Sequence, residues 1–250
     1  MARPLSQGGI DGPDGGFFAG SGIYPVQSDL GELAVRLGAP ASIDRLGNVI
    51  YMRDFRYGLN SSEWGSSGAG EDVHLSGNHS MYGGYTVRLE KVASTSSYSG
   101  VEVRTVARSA GRVGVETLFA VITNYPKAKL YLYRYTGTQL YRWGLQWDTA
   151  NQEVSILTDV DTWTLTGTTV KCLIGYPLLH SMKLVGDESD GDYVRALIDG
   201  VEIDLPEGTA VISSSTVDPH LLLRVFNSAG PPYGCFMYVD AIMVTVNEPP

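Results

Sequence analysis

Short runs in which apolar and polar residues alternate dominate the chain from residue 50 to its end. In the run 101–106, Val101 and Val103 alternate with Glu102 and Arg104. Period-two alternation indicates strands with one buried face, and Gly, Asn, Asp, Ser or Pro separates these runs. The other segments predicted as strands are 113–121, 130–135, 141–147, 154–157, 170–174, 182–185, 193–198, 201–205, 221–226 and 236–246. So many short strands predict an all-β, antiparallel sandwich over residues 50–250.

A different pattern occupies residues 28–49. Asp29 and Glu32 have the spacing of a capping box, and apolar residues then recur at helical spacing until Gly38 and Pro40. This predicts one short helix over 29–37. Two short strands around a turn at 46–48 follow it, so residues 28–49 form a helix and hairpin lead-in to the sandwich.

The first 27 residues are rich in glycine and contain only scattered apolar side chains. Such a segment cannot close a core of its own. It is either a disordered tail or an extended arm that becomes ordered against a neighbouring subunit. Adjacent aromatic residues favour the arm, and its candidate assembly contacts are Phe17, Phe18, Ile23 and Tyr24.

Charge and hydropathy narrow the choice of partners. The chain has 250 residues and a formal net charge of -9, from 18 Lys and Arg against 27 Asp and Glu. No basic field is available to hold a phosphate backbone, so nucleic acid is not an expected partner. No apolar run has the length of a membrane span and the N-terminus lacks a secretory signal pattern, so we expect synthesis in a cytoplasm and no membrane contact.

Four carboxylates crowd into residues 187–192, with the sequence Asp-Glu-Ser-Asp-Gly-Asp. They could bind calcium, supply an acid and a base, or form a solvated bend between strands. The flanking runs alternate, and the Asp199-Gly200 pair that follows is a strong hairpin signal. We therefore predict a three-stranded meander with these carboxylates facing water at its first bend, and no metal site there.

Other catalytic or metal-binding patterns are not found. The four histidines, His74, His79, His180 and His220, have neither metal-ligand spacing nor a nucleophile motif. Cys172 and Cys235 lie in separate apolar runs, and free buried thiols are favoured over a disulfide between them. We predict no cofactor and no catalytic residues.

The segment 130–147 carries an unusual density of aromatic residues. Tyr131, Tyr133 and Tyr135 share one face of a predicted strand, and Tyr141, Trp143 and Trp147 share a face of the next. Cross-strand pairing would join the six into an aromatic ladder. Such a ladder either belongs to the core or a subunit contact, or stacks on sugar rings at an exposed face.

Two short patterns resemble a known family. Tyr193, Asp199 and Gly200, followed by Tyr238-Val239-Asp240 in the last predicted strand, are similar to the back half of the concanavalin A-like lectin/glucanase jelly roll. Residues 54–64, "DFRYGLNSSEW", are similar to its first strand. The resemblance implies an antiparallel jelly-roll β-sandwich preceded by the N-terminal arm and short helix. The Glu-x-Asp-x-x-Glu pattern of the glucanase branch is missing.

Residues 31–55 are similar to segments that precede such domains in tailed-phage virion proteins. This resemblance implies a virion structural protein, above all a capsid decoration or accessory subunit, made in the host cytoplasm. Its expected partners are major capsid or tail subunits and further copies of itself. The alternative is a carbohydrate-binding module on a virion or tail surface, without catalysis. We expect no enzyme activity.

Overall fold

A computed structural model describes residues 46–55, 58–59, 64–68, 72–78, 84–91, 98–106, 111–123, 127–171, 179–206, 208, 210–228 and 235–249. The predicted arm, its four contact residues and the predicted helix lie outside the described residues. Within the described part of the chain the secondary structure is strand and turn, without a helix. Leu46–Pro250 forms one compact unit by itself.

Two eight-stranded sheets build this unit, and every strand pair is antiparallel. The first sheet has the order β13-β12-β11-β6-β16-β4-β3, and β1 also pairs with β16. Its strands are β1 (Asn48–Asp54), β3 (Asp72–Ser76), β4 (Thr86–Lys91), β6 (Arg112–Val121), β11 (Leu179–Asp187), β12 (Tyr193–Ile198), β13 (Val201–Glu202) and β16 (Cys235–Val246).

The second sheet has the order β10-β9-β8-β7-β15-β5-β2, and β14 also pairs with β8. Its strands are β2 (Trp64–Gly68), β5 (Ser99–Val106), β7 (Lys127–Tyr135), β8 (Gln139–Asp148), β9 (Glu153–Asp159), β10 (Thr162–Thr169), β14 (Val211–Ser214) and β15 (His220–Asn227). Long crossovers between sequentially distant strands, such as β6 with β16 and β7 with β15, give the jelly-roll connectivity.

The core lies between the sheets and is built by alternate side chains of each strand. On β8 these are Trp143, Leu145 and Trp147, which pack with Phe119 of the opposite sheet at 6.1 Å between the Phe119 and Trp147 ring centroids. Close packing requires Gly186 on β11, because a Cβ there would lie 2.4 Å from Cε2 of Trp143.

Hydrogen bonds also tie the two sheets together. The hydroxyl of Tyr193 on β12 accepts from the backbone N–H of Gly144 at 2.9 Å and donates to the carbonyl of Leu157 at 2.7 Å. Burial raises the pKa of this hydroxyl, so it stays a protonated donor over the physiological range. Tyr193 therefore links the two sheets through hydrogen bonds. This residue belongs to the pattern that resembles the lectin/glucanase family.

The predicted meander is confirmed in its order and its turn. β11, β12 and β13 are neighbours, and both Asp199 and Gly200 have positive φ, at 52° and 76°, as a two-residue hairpin requires. β13 ends at Glu202, three residues earlier than predicted. β2, β3, β4, β10 and β14 were not predicted, and the predicted strand 170–174 begins at two residues outside any strand, Val170 and Lys171.

Candidate functional site

The six aromatic residues predicted as one ladder lie on opposite faces of the second sheet. Leu132 pairs with Trp143 and Leu130 with Leu145, so Trp143 and Trp147 point into the core, at 1% and 0% exposure. The predicted ladder therefore does not form, and these two indoles are not available to a ligand. Tyr131, Tyr133 and Tyr135 of β7 point to the opposite side, away from the first sheet.

On this outward side, three aromatic rings surround Tyr131. Its ring centroid lies 5.5 Å from that of Trp163 on β10, 5.7 Å from Phe226 on β15 and 5.7 Å from Tyr133, in each case edge to face. Tyr131 and Phe226 are buried by their neighbours, whereas Tyr133 and Trp163 are half-buried. We call Tyr131, Tyr133, Trp163 and Phe226 the aromatic face.

Two glycines leave space for these rings against the sheet. A Cβ at Gly144 would lie 3.0 Å from both Leu157 and Trp163, and a Cβ at Gly100 would lie 1.7 Å from the ring of Phe226. The rings therefore occupy space that any other residue would fill. This is a local reason why aromatic side chains pack over β5 and β8 on the side away from the core.

Basic side chains surround the aromatic face. The guanidinium carbon of Arg224 lies 5.0 Å from the ring centroid of Tyr133, and the ammonium of Lys129 lies 4.7 Å from that of Trp163, both at cation–π distance. Arg224 also forms an ion pair with Glu102 at 2.9 Å. Arg142 stands directly opposite Tyr133 on β8.

The surroundings of the aromatic face lower the pKa of one lysine and raise the pKa of two tyrosines. Burial, together with the charge of Lys127, lowers the pKa of Lys129 to about 8 against the opposing effect of Asp161. Burial raises the pKa of Tyr131 and that of Tyr133, although Arg224 and Arg142 partly offset the rise at Tyr133. Both phenols are therefore neutral hydrogen-bond donors at physiological pH.

The remaining two predicted residues lie at the margins. Tyr135 is the next outward-facing residue of β7 after Tyr133. It stacks on His220, its partner on β15, with 4.3 Å between ring centroids. Tyr141 points toward the core side, stacks on Trp143 at 5.7 Å and donates from its hydroxyl to Oε1 of Gln139 at 2.8 Å. Neither belongs to the aromatic face.

The acidic bend uses its carboxylates to fold the chain. Asp187 accepts from Arg112 and from the backbone and hydroxyl of Ser189, and Glu188 forms an ion pair with Arg134. These two side chains are largely shielded from solvent, which corrects the expectation that all four carboxylates face water; Asp190 and Asp192 are exposed. Burial opposes ionisation of Asp187, but the Ser189 and Arg112 hydrogen bonds lower its pKa overall.

Sequence spacing did not reveal a pair formed by His180 and Asp199. Nδ1 of His180 lies 2.6 Å from a carboxylate oxygen of Asp199, and the His180 ring packs edge to face on Trp147. The second carboxylate oxygen of Asp199 accepts the backbone N–H of Ser181 at 2.8 Å. The pair joins residues 19 positions apart, so only the β11–β12 pairing brings it together.

Within the described ranges, no group of three or more His, Cys, Asp or Glu side chains is placed to hold a metal ion. Likewise, none of the described segments forms a helix with the length and apolarity to cross a membrane. The Cys235 thiol is buried and donates to Oδ1 of Asn227 at 3.3 Å, while Cys172 lies outside the description.

Neither a protein-family model nor a curated protein matches the chain. Among solved structures, a chain reported for the carbohydrate esterase vb_24B_21 of the Shiga toxin-encoding bacteriophage phi24B has a TM-score of 0.53 at 15% identity, over 81% of this chain and 100% of that one. An endo-β-1,4-glucuronan lyase of the fungus Trichoderma reesei gives 0.48 at 12%, over 79% and 95%. Lectin I-B4 of Griffonia simplicifolia gives 0.44 at 12%, over 78% and 98%.

The two antiparallel sheets and the likeness to the phage chain confirm the predicted fold, an antiparallel jelly-roll β-sandwich. The same likeness overturns the expectation of no enzyme activity, because this fold occurs in a chain described as a carbohydrate esterase. That expectation rested on the missing Glu-x-Asp-x-x-Glu pattern. Strand pairing brings together residues that no short sequence pattern links, so one missing local pattern excludes little.

Proposed function

We propose that the aromatic face binds carbohydrate. The observation that carries the proposal is the position of its four rings: they cluster on the outward side of a sheet, where the core does not require them. Apolar surface gathered in this way marks interaction sites. Ring faces stack on the apolar faces of sugars, and half-buried Tyr133 and Trp163 are the members with surface to offer.

Polar groups around the rings complement this surface. Arg142 and the Arg224–Glu102 pair supply fixed donors and acceptors next to the rings, and the neutral phenol of Tyr133 adds another donor. Sugar sites combine an apolar floor with a few oriented polar groups in this way. The description of the phage protein of similar fold as a carbohydrate esterase also supports the choice of ligand class.

The test is binding of the full chain to a glycan array, followed by titration calorimetry on the glycans that bind. Trp163→Ala should weaken binding at least about tenfold, or about 1.4 kcal/mol, because the half-buried indole contributes part of the stacking surface. Phe236→Ala is the matched control, since this ring lies on the first sheet under Arg88 at 4.1 Å. Equal losses in both variants, or no glycan bound at all, would overturn the proposal.

The same samples test for turnover. Glycans that bind should be incubated with the chain and analysed by mass spectrometry for deacylated or cleaved products. Products that disappear in Trp163→Ala would place chemistry at or near the aromatic face. Unchanged glycans would leave binding as the activity of this surface.

We further propose that the chain is carried on a phage particle as a capsid decoration or accessory subunit, assembled as a homo-oligomer in the host cytoplasm. Residues 31–55 resemble segments before jelly-roll domains of virion proteins, and the protein of similar fold from phi24B is a phage protein. In this proposal the anchor is the arm of residues 1–27, through Phe17, Phe18, Ile23 and Tyr24.

Incorporation into particles tests the anchor. A chain without residues 1–27 should keep a folded Leu46–Pro250 unit, which is compact by itself, but should be missing from purified virions by mass spectrometry. The quadruple replacement of the four apolar contacts by Ser in the full-length chain is the narrower version. Unchanged incorporation of both variants would rule out the arm as the anchor, and cryo-electron microscopy of labelled particles would separate a capsid from a tail position.

A further inference from the structure

The aromatic face is basic although the chain as a whole is acidic. The net charge is -9, yet three cationic side chains, Lys129, Arg142 and Arg224, are grouped around Tyr133 and Trp163. Opposing them are Glu102, held in the ion pair with Arg224, and Asp161 near Lys129. A local excess of positive charge on an acidic protein calls for a specific explanation, because it costs solvation and mutual repulsion.

Two of the three cations form no ion pair within the described part of the chain. No described carboxylate lies within 4.0 Å of Arg142 or Lys129, although Asp161 is near enough to Lys129 to raise its pKa. Nε of Arg142 is shielded from solvent without a hydrogen-bond acceptor, as are the Nε atoms of Arg88, Arg195 and Arg224. Those three arginines form ion pairs with carboxylates, so Arg142 differs from them in having no described carboxylate beside its guanidinium. A shielded guanidinium of this kind is suited to binding an anion.

The cost of this arrangement is visible at Lys129. Burial and the neighbouring Lys127 lower its pKa to about 8, so the site carries a cation that the surrounding protein does not fully compensate. A structural surface would match such a charge with a carboxylate, as the protein does for Arg88 with Glu90 on the first sheet at 2.9 Å.

The positions of the cations also bear on the kind of sugar. Lys129 and Arg224 lie at cation–π distance from the rings of Trp163 and Tyr133, the two rings that offer stacking surface. A neutral sugar that stacks there gives these cations no ion-pair partner. A sugar that carries a carboxylate can form ion pairs with them while its ring stacks on the aromatic side chains.

We infer that the aromatic face recognises glycans bearing carboxylate groups, such as uronic or sialic acids. The inference rests on the proposed function and deepens it. Arg142, with the Tyr133 hydroxyl beside it, receives one carboxylate through paired N–H and O–H donors. Lys129, on the next outward position of β7 beyond Tyr131, neutralises a second acidic group further along the chain of sugars.

The experiment compares pairs of ligands that differ only in charge. Oligogalacturonate and sialyllactose are each titrated into the full chain beside their carboxamide derivatives, together with neutral xylo- and cello-oligosaccharides. The acids should bind at least tenfold more tightly than the amides. Raising NaCl from about 50 to about 300 mM should weaken binding of the acids and leave that of the amides unchanged, because salt screens charge and not stacking.

Single substitutions show which side chains produce the preference for acidic ligands. Arg142→Gln should reduce the preference for acid over amide about tenfold, because it weakens binding of the acid more than binding of the amide. Arg88→Gln is the control, since it removes an equal charge that lies over an aromatic ring, Phe236, on the other sheet. Trp163→Ala should weaken acid and amide alike, so that stacking and charge are read separately.

Each result has one meaning. Tight binding confined to neutral oligosaccharides, or equal affinity for acid and amide, overturns the inference and leaves the proposed function standing. A preference for acids that Arg142→Gln does not change also overturns it, because another part of the protein then binds the carboxylate of the ligand. Binding to neither class overturns the inference and the proposed function together.

Discussion

The outward sides of the two sheets use charge in opposite ways. On the first sheet, the carboxylate of Glu248 is fully buried. It forms ion pairs with Lys183 and Arg195, each at 2.8 Å, and accepts a hydrogen bond from the hydroxyl of Thr245. On the second sheet, Lys129 and Arg142 lie beside aromatic rings, and none of the carboxylates that the structure describes forms an ion pair with them. Matched buried charges fix a structure, whereas unmatched charges cost stability and are retained where a ligand completes them.

Glycines leave space on the outward side of both sheets, but different groups fill that space. A Cβ at Gly114 would lie 2.7 Å from Oε1 of Glu248, and one at Gly47 would lie 2.6 Å from the same atom. On the second sheet, Gly100 and Gly144 make room for rings instead. The space is filled by a charge network on one side and by an apolar platform on the other, so the two surfaces should respond differently to the same kind of substitution.

The largest expected effect comes from breaking the matched network. Glu248→Ala should lower the free energy of unfolding by about 3 kcal/mol or more, because it leaves Lys183 and Arg195 shielded with their shared carboxylate gone. Glu102→Ala on the second sheet should cost at most about 1 kcal/mol, since its partner Arg224 is partly solvated. Urea denaturation followed by circular dichroism measures both. Equal losses would mean that the two surfaces do not differ as described.

Much of the fold was predictable from local pattern, and the reason is that hairpin chemistry is local. Asp199-Gly200 marked its turn, and the alternation on either side gave β11 and β12. β10 was missed because its sequence, Thr-Trp-Thr-Leu-Thr-Gly-Thr-Thr, has little apolar alternation and most of it is exposed. Trp163, a central residue of the aromatic face, therefore escaped notice.

The candidate site was predictable in composition but not in geometry. In the β7–β8 pair, residue numbers of partners sum to 275, as for Leu132 with Trp143, so odd-numbered residues of the two strands face opposite sides. A turn longer or shorter by one residue would have united Tyr131 with Trp143 on one face. The Thr136–Gln139 turn decides this register through the Thr136 N–H to Gln139 carbonyl bond of 2.9 Å, and sequence alternation alone cannot reveal it. Phe226, from a strand 95 residues after Tyr131, arrives only through the β7–β15 pairing.

A smaller effect should follow from filling the space beneath a ring. Gly100→Ala places a methyl group where the Phe226 ring lies, 1.7 Å from its Cδ1, so the ring must leave its position beside Tyr131. We expect a loss of about 1–3 kcal/mol in unfolding free energy and weaker glycan binding. Gly77→Ala is the control, because a Cβ there meets nothing within 4 Å. An unchanged glycan affinity in Gly100→Ala would show that Phe226 does not shape the binding surface.

The smallest expected change in stability comes from replacing Lys129. This substitution is also the most direct test of the contrast between the two surfaces. Lys129→Met keeps the apolar stem and removes the unmatched charge, so it should stabilise the fold by about 1 kcal/mol at pH 7 after the lost cation–π contact is deducted. Because the pKa in the folded state is lowered to about 8, the wild-type penalty is complete below pH 8 and fades as pH rises from 8 toward the ordinary lysine value. The difference in melting temperature should therefore narrow between pH 7 and pH 9.5.

The same variant should bind an acidic glycan more weakly at pH 7, and the wild-type chain should lose that advantage above pH 8 as Lys129 gives up its proton. Differential scanning fluorimetry and calorimetry across this pH range measure the two trends on one set of samples. Opposite signs for stability and binding would identify a charge held for a ligand at the expense of the fold. If Lys129→Met instead destabilised the chain at every pH, the ammonium would be a structural group like those around Glu248, and the contrast between the two surfaces would fail at this residue.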